Sequence, residues 1–412
     1  MTDYRRNHYV PQWFQRRFIP NQATERKLHY LDLRPETKIR NGRKFQRKSL
    51  MRWGTPRCFV EEDLYTTFFG EMYSTEIEEK FFGEIDRSGK NAVDYFSHFE
   101  HPDVNHEAFQ SFLVYLSTQK LRTPKGLKEL ARLVETQDKN SLLFELQRLK
   151  QLYCAVWTEA VWLIAKAPDE GVGFILSDHP VTVYNQSCFP ASKWCRNGRD
   201  PDIRMVGTHT LFPLDIRTIL ILTNLSWARN PYQSATNVRP NPSMLRPAMF
   251  NFMDIQTHRQ LTDHEVHCIN YIIKQRARRY VAAGEKSWLY PEDNIQVPRW
   301  DRIGTPYWLM PDPRGITFST ETFIGYEGGH TEAFDEYGTR PWQEGYNDNR
   351  RKEAEWNTLY AFKGEFARLF GPKRRGRSYT HTRLDPEEDD PDFHQYHLSL
   401  EGHHKARFKR RG

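Results

Sequence analysis

Apolar positions recur along this chain at two different spacings, and the spacing changes near its middle. In residues 11–18, Trp13, Phe14 and Phe18 make a short stripe behind Pro11, which suits a first helical turn. Residues 27–33 (KLHYLDL) alternate and predict a strand. Residues 39–53 are basic and irregular and read as loop. Residues 61–67 lead into a helix expected over 74–99. Asn105 is placed to cap the next helix, whose face carries Phe109, Phe112, Leu113 and Leu116 and which Thr123-Pro124 should end. A long periodic helix is expected over 141–167. Consecutive helices of this kind predict a helical bundle.

From Gly173 the period shortens. Residues 173–184 (GFILSDHPVTVY) read as strand, turn, strand, and 211–214 and 218–223 as buried strands. Thr262 and Glu265 form a capping box ahead of Val266, Ile269, Ile272 and Ile273. The expected class is α+β: an N-terminal helical bundle packed on a small mixed or antiparallel sheet, with an irregular C-terminal extension. Composition shifts near residue 290 towards Pro, Gly, Trp and Asp, so the expected units are 1–289, 290–371 and 372–412. The second holds one amphipathic helix over 350–370. The third is a basic, His-containing tail expected to be disordered.

Charge adds a partner class. The 412 residues carry a formal net charge of +7. The excess gathers in Arg40, Arg43, Lys44, Arg47, Lys48, Arg52 and Arg57, and again in two runs after residue 372. Such tracts offer nucleic acid a surface, although a basic run is ordinarily just a solvated face. The five cysteines are odd in number and lack a CxxC pair, which argues against a disulfide framework and a zinc knuckle. Polar residues follow Met1, and no apolar run approaches ~18 residues. The expectation is a cytoplasmic protein with no membrane partner.

The opening residues His8-Tyr9-Val10-Pro11-Gln12, with Arg16, Arg17 and Phe18, resemble the signature of a bacterial family, domain of unknown function 4238. Further resemblances follow in order: Asp63-Leu64-Tyr65; Glu79, Phe82 and Asp86; Gln119 with Arg122-Thr123-Pro124; Ser177-Asp178 with Pro180; Phe212-Pro213-Leu214; and Asn224. They cover about residues 1–285. The resemblance implies shared motifs and brings no activity with it.

The chemistry-bearing residues each have a structural alternative. His8 and Gln12 share a face if the helix starts one residue early, where they can orient a water or a phosphate; a histidine at a helix start ordinarily bonds backbone. Glu79 and Asp86, seven apart, fall within about 20° of one direction on a helix, lining a cleft or facing solvent. Asp178 ends a buried strand, a position suited to a metal ligand or general base, or to an Asx-turn. His179 lies outside the family pattern and ranks below it. Arg122 can clamp a phosphate or pair internally with Glu79 or Asp86. His258, His264 and His267 lack an HExxH pattern, and no P-loop, GxGxxG or GxSxG is present.

Two functions are carried forward. In the first, a divalent-metal phosphodiesterase or nuclease, by analogy in bacterial defence or as a toxin, holds Mg²⁺ or Mn²⁺ on Asp178 with Glu79 or Asp86. His8 then acts as general base or acid, Gln12 beside it helps orient a water or phosphate, and Arg122 holds the scissile phosphate. In the second, the same residues form a non-catalytic hydrogen-bond network in a structural or interaction module, and the C-terminal extension meets a protein partner.

Overall fold

Two sheets share one apolar core. The structure is a computed structural model that describes residues 5–40, 43–69, 72–238, 250–316, 318, 321–371, 376–379, 392, 395–396 and 398–399. Strand β1 (Arg6–His8) leads into helix α1 (Gln12–Arg16), with Pro11 as its N-cap residue. Phe14 and Phe18 are buried, and Phe14 stacks on Phe212 at 5.2 Å. Strand β2 (Lys27–Asp32) matches its expected span.

The expected loop over 39–53 is instead three strands: β3 (Thr37–Arg40), β4 (Arg43–Gln46) and β5 (Leu50–Gly54). The pairing Arg40↔Arg43 brackets Asn41-Gly42, a dipeptide that strongly favours two-residue hairpins. Strand β6 (Val60–Glu62) pairs antiparallel with β1. The stretch expected to approach a helix forms a second small hairpin, β7 (Thr67–Phe69) and β8 (Met72–Ser74).

The helix expected over 74–99 opens with a π-helical segment, Ile77–Phe82, and continues as α2 (Gly83–Ser97). Helix α3 (His106–Arg122) is capped by Asn105, whose side chain accepts from the Ala108 N–H at 2.9 Å. Thr123-Pro124 ends α3 and also begins α4 (Pro124–Leu133), with Thr123 as cap and Pro124 in the first turn. The single helix expected over 141–167 breaks into α5 (Lys139–Arg148), α6 (Cys154–Glu159) and strand β9 (Val161–Lys166). A short buried apolar run fits helix or strand equally by period, and neighbouring strands on both sides decide for β9.

Strands β10 (Leu176–Ser177) and β11 (Thr182–Asn185) are the expected pair around Asp178, but they enter different sheets. The remaining sheet strands are β12 (Thr208–Pro213), β13 (Thr218–Thr223), β14 (Gln256–Gln260) and β15 (Tyr280–Ala283). The five-stranded sheet has the order β11-β12-β13-β9-β14 and is mixed, since only β14 runs parallel to its neighbour. The four-stranded sheet, β10-β15-β2-β5, is antiparallel. The class is α+β. Helix α3 packs on the five-stranded sheet through Phe112, which meets Trp162 and Phe212.

Helix α7 (Leu225–Arg229) follows β13, and α8 (Asp263–Arg276) keeps the expected Thr262–Glu265 capping box. The main core continues past residue 290 through Trp300, Ile303, Trp308 and Leu309. A hairpin, β16 (Glu321–Gly325) with β17 (Thr331–Asp335), precedes α9 (Asn349–Phe370), where the amphipathic helix was expected. The expectation for the tail, 372–412, lies mostly outside the described residues. Among the described residues no helix is long and apolar enough to cross a membrane.

Candidate functional site

Asp178 closes β10, where the chain leaves one sheet for the other. Its carboxylate accepts three backbone N–H groups, from Arg278 at 2.8 Å, Arg279 at 2.7 Å and Tyr280 at 2.9 Å. Burial pushes its pKa up, and the three N–H donors pull it down. This carboxylate is a peg joining β10 to β15. The expected Asx-turn and metal-ligand roles both give way to it.

His8 and Gln12 lie against the same turn at Thr55 and Pro56, and His8 Nε2 is buried without a hydrogen bond among the described residues. Burial lowers the His8 pKa, and the carbonyls of Pro56 and Thr55 act in the opposite sense. Gln12 Oε1 accepts from the Thr55 hydroxyl at 3.2 Å. The buried amide of this segment is Gln15, which donates to the Val10 carbonyl at 2.8 Å and the Cys58 carbonyl at 3.1 Å.

Arg122 is 1% exposed. Its guanidinium meets Gln119 Oε1 at 2.7 Å and Asp86 at 2.8 Å, between the rings of Phe82 and Tyr115. Gln119 donates in turn to the Tyr9 carbonyl at 2.8 Å, and the Tyr65 hydroxyl to the Arg122 carbonyl at 2.8 Å. The internal pairing of Arg122 with Asp86 is therefore realised, and the pairing with Glu79 is not. Glu79 is exposed and accepts from the Thr75 hydroxyl at 2.6 Å. A seven-residue spacing aligns two side chains only on a uniform α-helix, and the wider π-helical turn at Ile77–Phe82 changes the phase. Glu78 is turned inward in its place. Its carboxyl is pushed up to about 7 by burial, opposed by Arg122 and reinforced by Asp86.

Asp178, Glu79 and Asp86 thus each have different partners: backbone N–H groups, the Thr75 hydroxyl and the Arg122 guanidinium. The acid and histidine group that the described residues do bring within 4.8 Å is Glu129, His179 and Asp200. His179 was ranked second in the sequence; Glu129 and Asp200 carried no local signal, because only the fold brings residue 200 beside α3 and α4. Asp200 receives the Lys120 ammonium at 2.7 Å, the Lys125 ammonium at 2.5 Å and His179 Nε2 at 3.1 Å. His179 Nδ1 lies 2.6 Å from Thr123 Oγ1, and the Asp200 N–H donates to Glu129 at 3.0 Å.

This chain of hydroxyl, imidazole and carboxylate has the order of a nucleophile relay, but it is sealed. Thr123 and His179 are 0% exposed, and the Thr123 oxygen also caps α4. Burial together with Lys120 lowers the His179 pKa to about 3, so the ring is neutral. Burial alone would raise Asp200, but Lys120 and Lys125 outweigh it and keep the carboxylate ionised. Lys120, drawn down by burial, is held up at about 12 by Asp200 and Glu129. Two ammonium groups already balance two acids here. A divalent cation would have to displace both lysines from Asp200, so the donor set does not fit one.

The basic tract has a shape that its composition did not disclose. Residues 37–48 contain Lys38, Arg40, Arg43, Lys44, Arg47 and Lys48 and no acidic residue. Strands β3 and β4 form a two-stranded sheet of their own. Lys44, Arg47 and Lys48 are exposed, and Ile39 and Phe45 are exposed beside them at 70% and 44%.

A family model, Protein of unknown function (DUF4238), matches residues 6–287. No curated protein and no solved structure matches the chain.

Proposed function

From the premise that this chain belongs to the DUF4238 family, whose description brings no activity with it, we propose that it is a non-catalytic nucleic-acid interaction module. The observation that carries this reading is the ribbon of β3 and β4, with six cationic and no acidic residues over 37–48, where Arg47 meets Glu36 at its edge at 3.8 Å. A two-stranded ribbon fits the major groove of a duplex, about 12 Å wide, and cationic side chains gain by releasing counterions from phosphates. Exposed Ile39 and Phe45 supply apolar contact between the charges.

The metal-dependent nuclease reading draws no support from the residues first nominated. Asp178 serves backbone, Arg122 serves Asp86, and the Asp200 cluster is neutralised by lysine. The test is fluorescence anisotropy with duplex DNA, single-stranded DNA and RNA at about 50 and 200 mM salt. Binding is expected to weaken steeply with salt. The variant Lys44→Ala/Arg47→Ala/Lys48→Ala should bind weakly and lose roughly one unit of salt slope per phosphate contact. Its unfolding midpoint should hardly move, since surface changes cost within about 0.5 kcal/mol. Equal binding by the variant, or cleavage in Mg²⁺ or Mn²⁺ that Asp200→Asn abolishes in a folded protein, would overturn the reading.

A further inference from the structure

At one end of the five-stranded sheet, Tyr184, His209 and Thr223 stand in register on β11, β12 and β13. Residues 301–310 fold back over this end and leave a cavity of about 410 Å³, within the size range of small-molecule sites. Its aromatic walls are Tyr184, Trp227, Tyr307 and Trp308. The loop is shaped for this enclosure. Gly304 lies so close to Trp308 that a Cβ would stand 2.7 Å from the indole, and Tyr307 holds a left-handed φ of 59°.

His209 is the polar group in the depth of the cavity. It is 6% exposed and lies nearly parallel to Tyr184, with 25° between the rings. Nδ1 is 3.0 Å from the Thr223 hydroxyl, and among the described residues no hydrogen bond reaches Nε2. Burial, then Arg259, lowers its pKa to about 3, so the ring is neutral with one N–H. The Thr223 hydroxyl can donate or accept, so Nε2 can be donor or acceptor to whatever enters. At the rim Arg302 is exposed and has no ion pair among the described residues, while its neighbour Asp301 is held by Arg299.

We infer that this cavity is a binding site for a planar heteroaromatic base, stacked between the aromatic walls and hydrogen-bonded at its edge by His209, with Arg302 meeting an attached phosphate. Stacking selects a flat ring, the single buried nitrogen selects a ring with a polar edge, and the cation at the mouth selects a nucleotide over its nucleoside. The site stands apart from the ribbon and does not depend on it.

The experiment is a titration of tryptophan fluorescence in the full chain with adenosine, AMP, UMP, toluene and a short single-stranded oligonucleotide. Saturable quenching by the free nucleotides, or by the oligonucleotide alone, supports the site and tells which source supplies the base. His209→Phe keeps an aromatic ring in place and should weaken binding about tenfold, the effect of one buried hydrogen bond. Arg302→Ala, an exposed change, should reduce AMP binding to the level of adenosine. With the free nucleotides, the ribbon variant should quench as the native chain does. No saturable binding of any base, equal binding of toluene, or unchanged binding by both variants would overturn the inference. Should His209→Phe fail to fold, the Arg302→Ala comparison of AMP with adenosine decides.

Discussion

Glu78 shows what a single inward-turned carboxylate does to the pH dependence of folding. It lies beside Asp86 and Arg122, and one of its oxygens is buried without a hydrogen bond. Its ordinary value of 4.5 is raised to about 7 in the folded chain. Below pH 4.5 the acid is protonated in both states and contributes nothing. As pH rises to 7, the unfolded chain releases this proton and the folded chain keeps it, so folding is progressively disfavoured. Above pH 7 the full cost is present, at most about 3 kcal/mol from the size of the shift. Glu78→Gln should therefore match the native chain near pH 4 and exceed it in urea stability at pH 8. A constant difference across that range would contradict the assignment. The sequence nominated Glu79 at this position because a uniform helix puts it in phase with Asp86; the local helix type, set by packing of Ile77 and Phe82, decided otherwise.

At the scale of elements, α2 and α3 pack against each other where Gly89 meets Tyr115. A Cβ on Gly89 would stand 2.4 Å from the Tyr115 ring, which is buried on all sides. In an exposed helix, Gly→Ala would stabilise by about 1 kcal/mol. Here Gly89→Ala should destabilise by about 1–3 kcal/mol through overpacking, measurable by urea unfolding. Much of the element content was legible: the Asn105 cap, the Thr262–Glu265 capping box, β2, β13 and α9 rest on local signals that the fold did not override. The ribbon was legible too, in Asn41-Gly42, but its basic composition masked it. Strand β9 was not, because Val161–Lys166 takes its conformation from β13 and β14.

For the whole molecule, the Asp200 cluster is the joint between α3, α4, the turn after β10 and the segment before β12. Lys125 also donates to the Arg276 carbonyl at 2.9 Å, which ties α8 into the same point. Asp200→Asn would strand two buried ammonium groups and should cost about 3–5 kcal/mol. A chelator should leave the thermal midpoint unmoved, because the positive charge is supplied by lysine and not by a metal. A midpoint raised by Mn²⁺ in the native chain, and not in an Asp200→Asn chain that still folds, would reverse this conclusion.

The sequence by itself determined the α+β class, the caps, the cationic tract and the family, because these depend on neighbours within a few residues or on ordered motifs. It also singled out His8, Gln12, Glu79, Asp86, Arg122 and Asp178 as candidate site residues. What they do was decided by tertiary structure. Whether a carboxylate meets water, a metal, a guanidinium or three backbone N–H groups depends on elements that arrive from about a hundred residues away, as Arg278, Arg279 and Tyr280 do at Asp178. The same holds for Asp200 with its lysines and for His209 at the cavity floor. Burial and long-range contact set the charge state and free valence of each, and no local pattern encodes either.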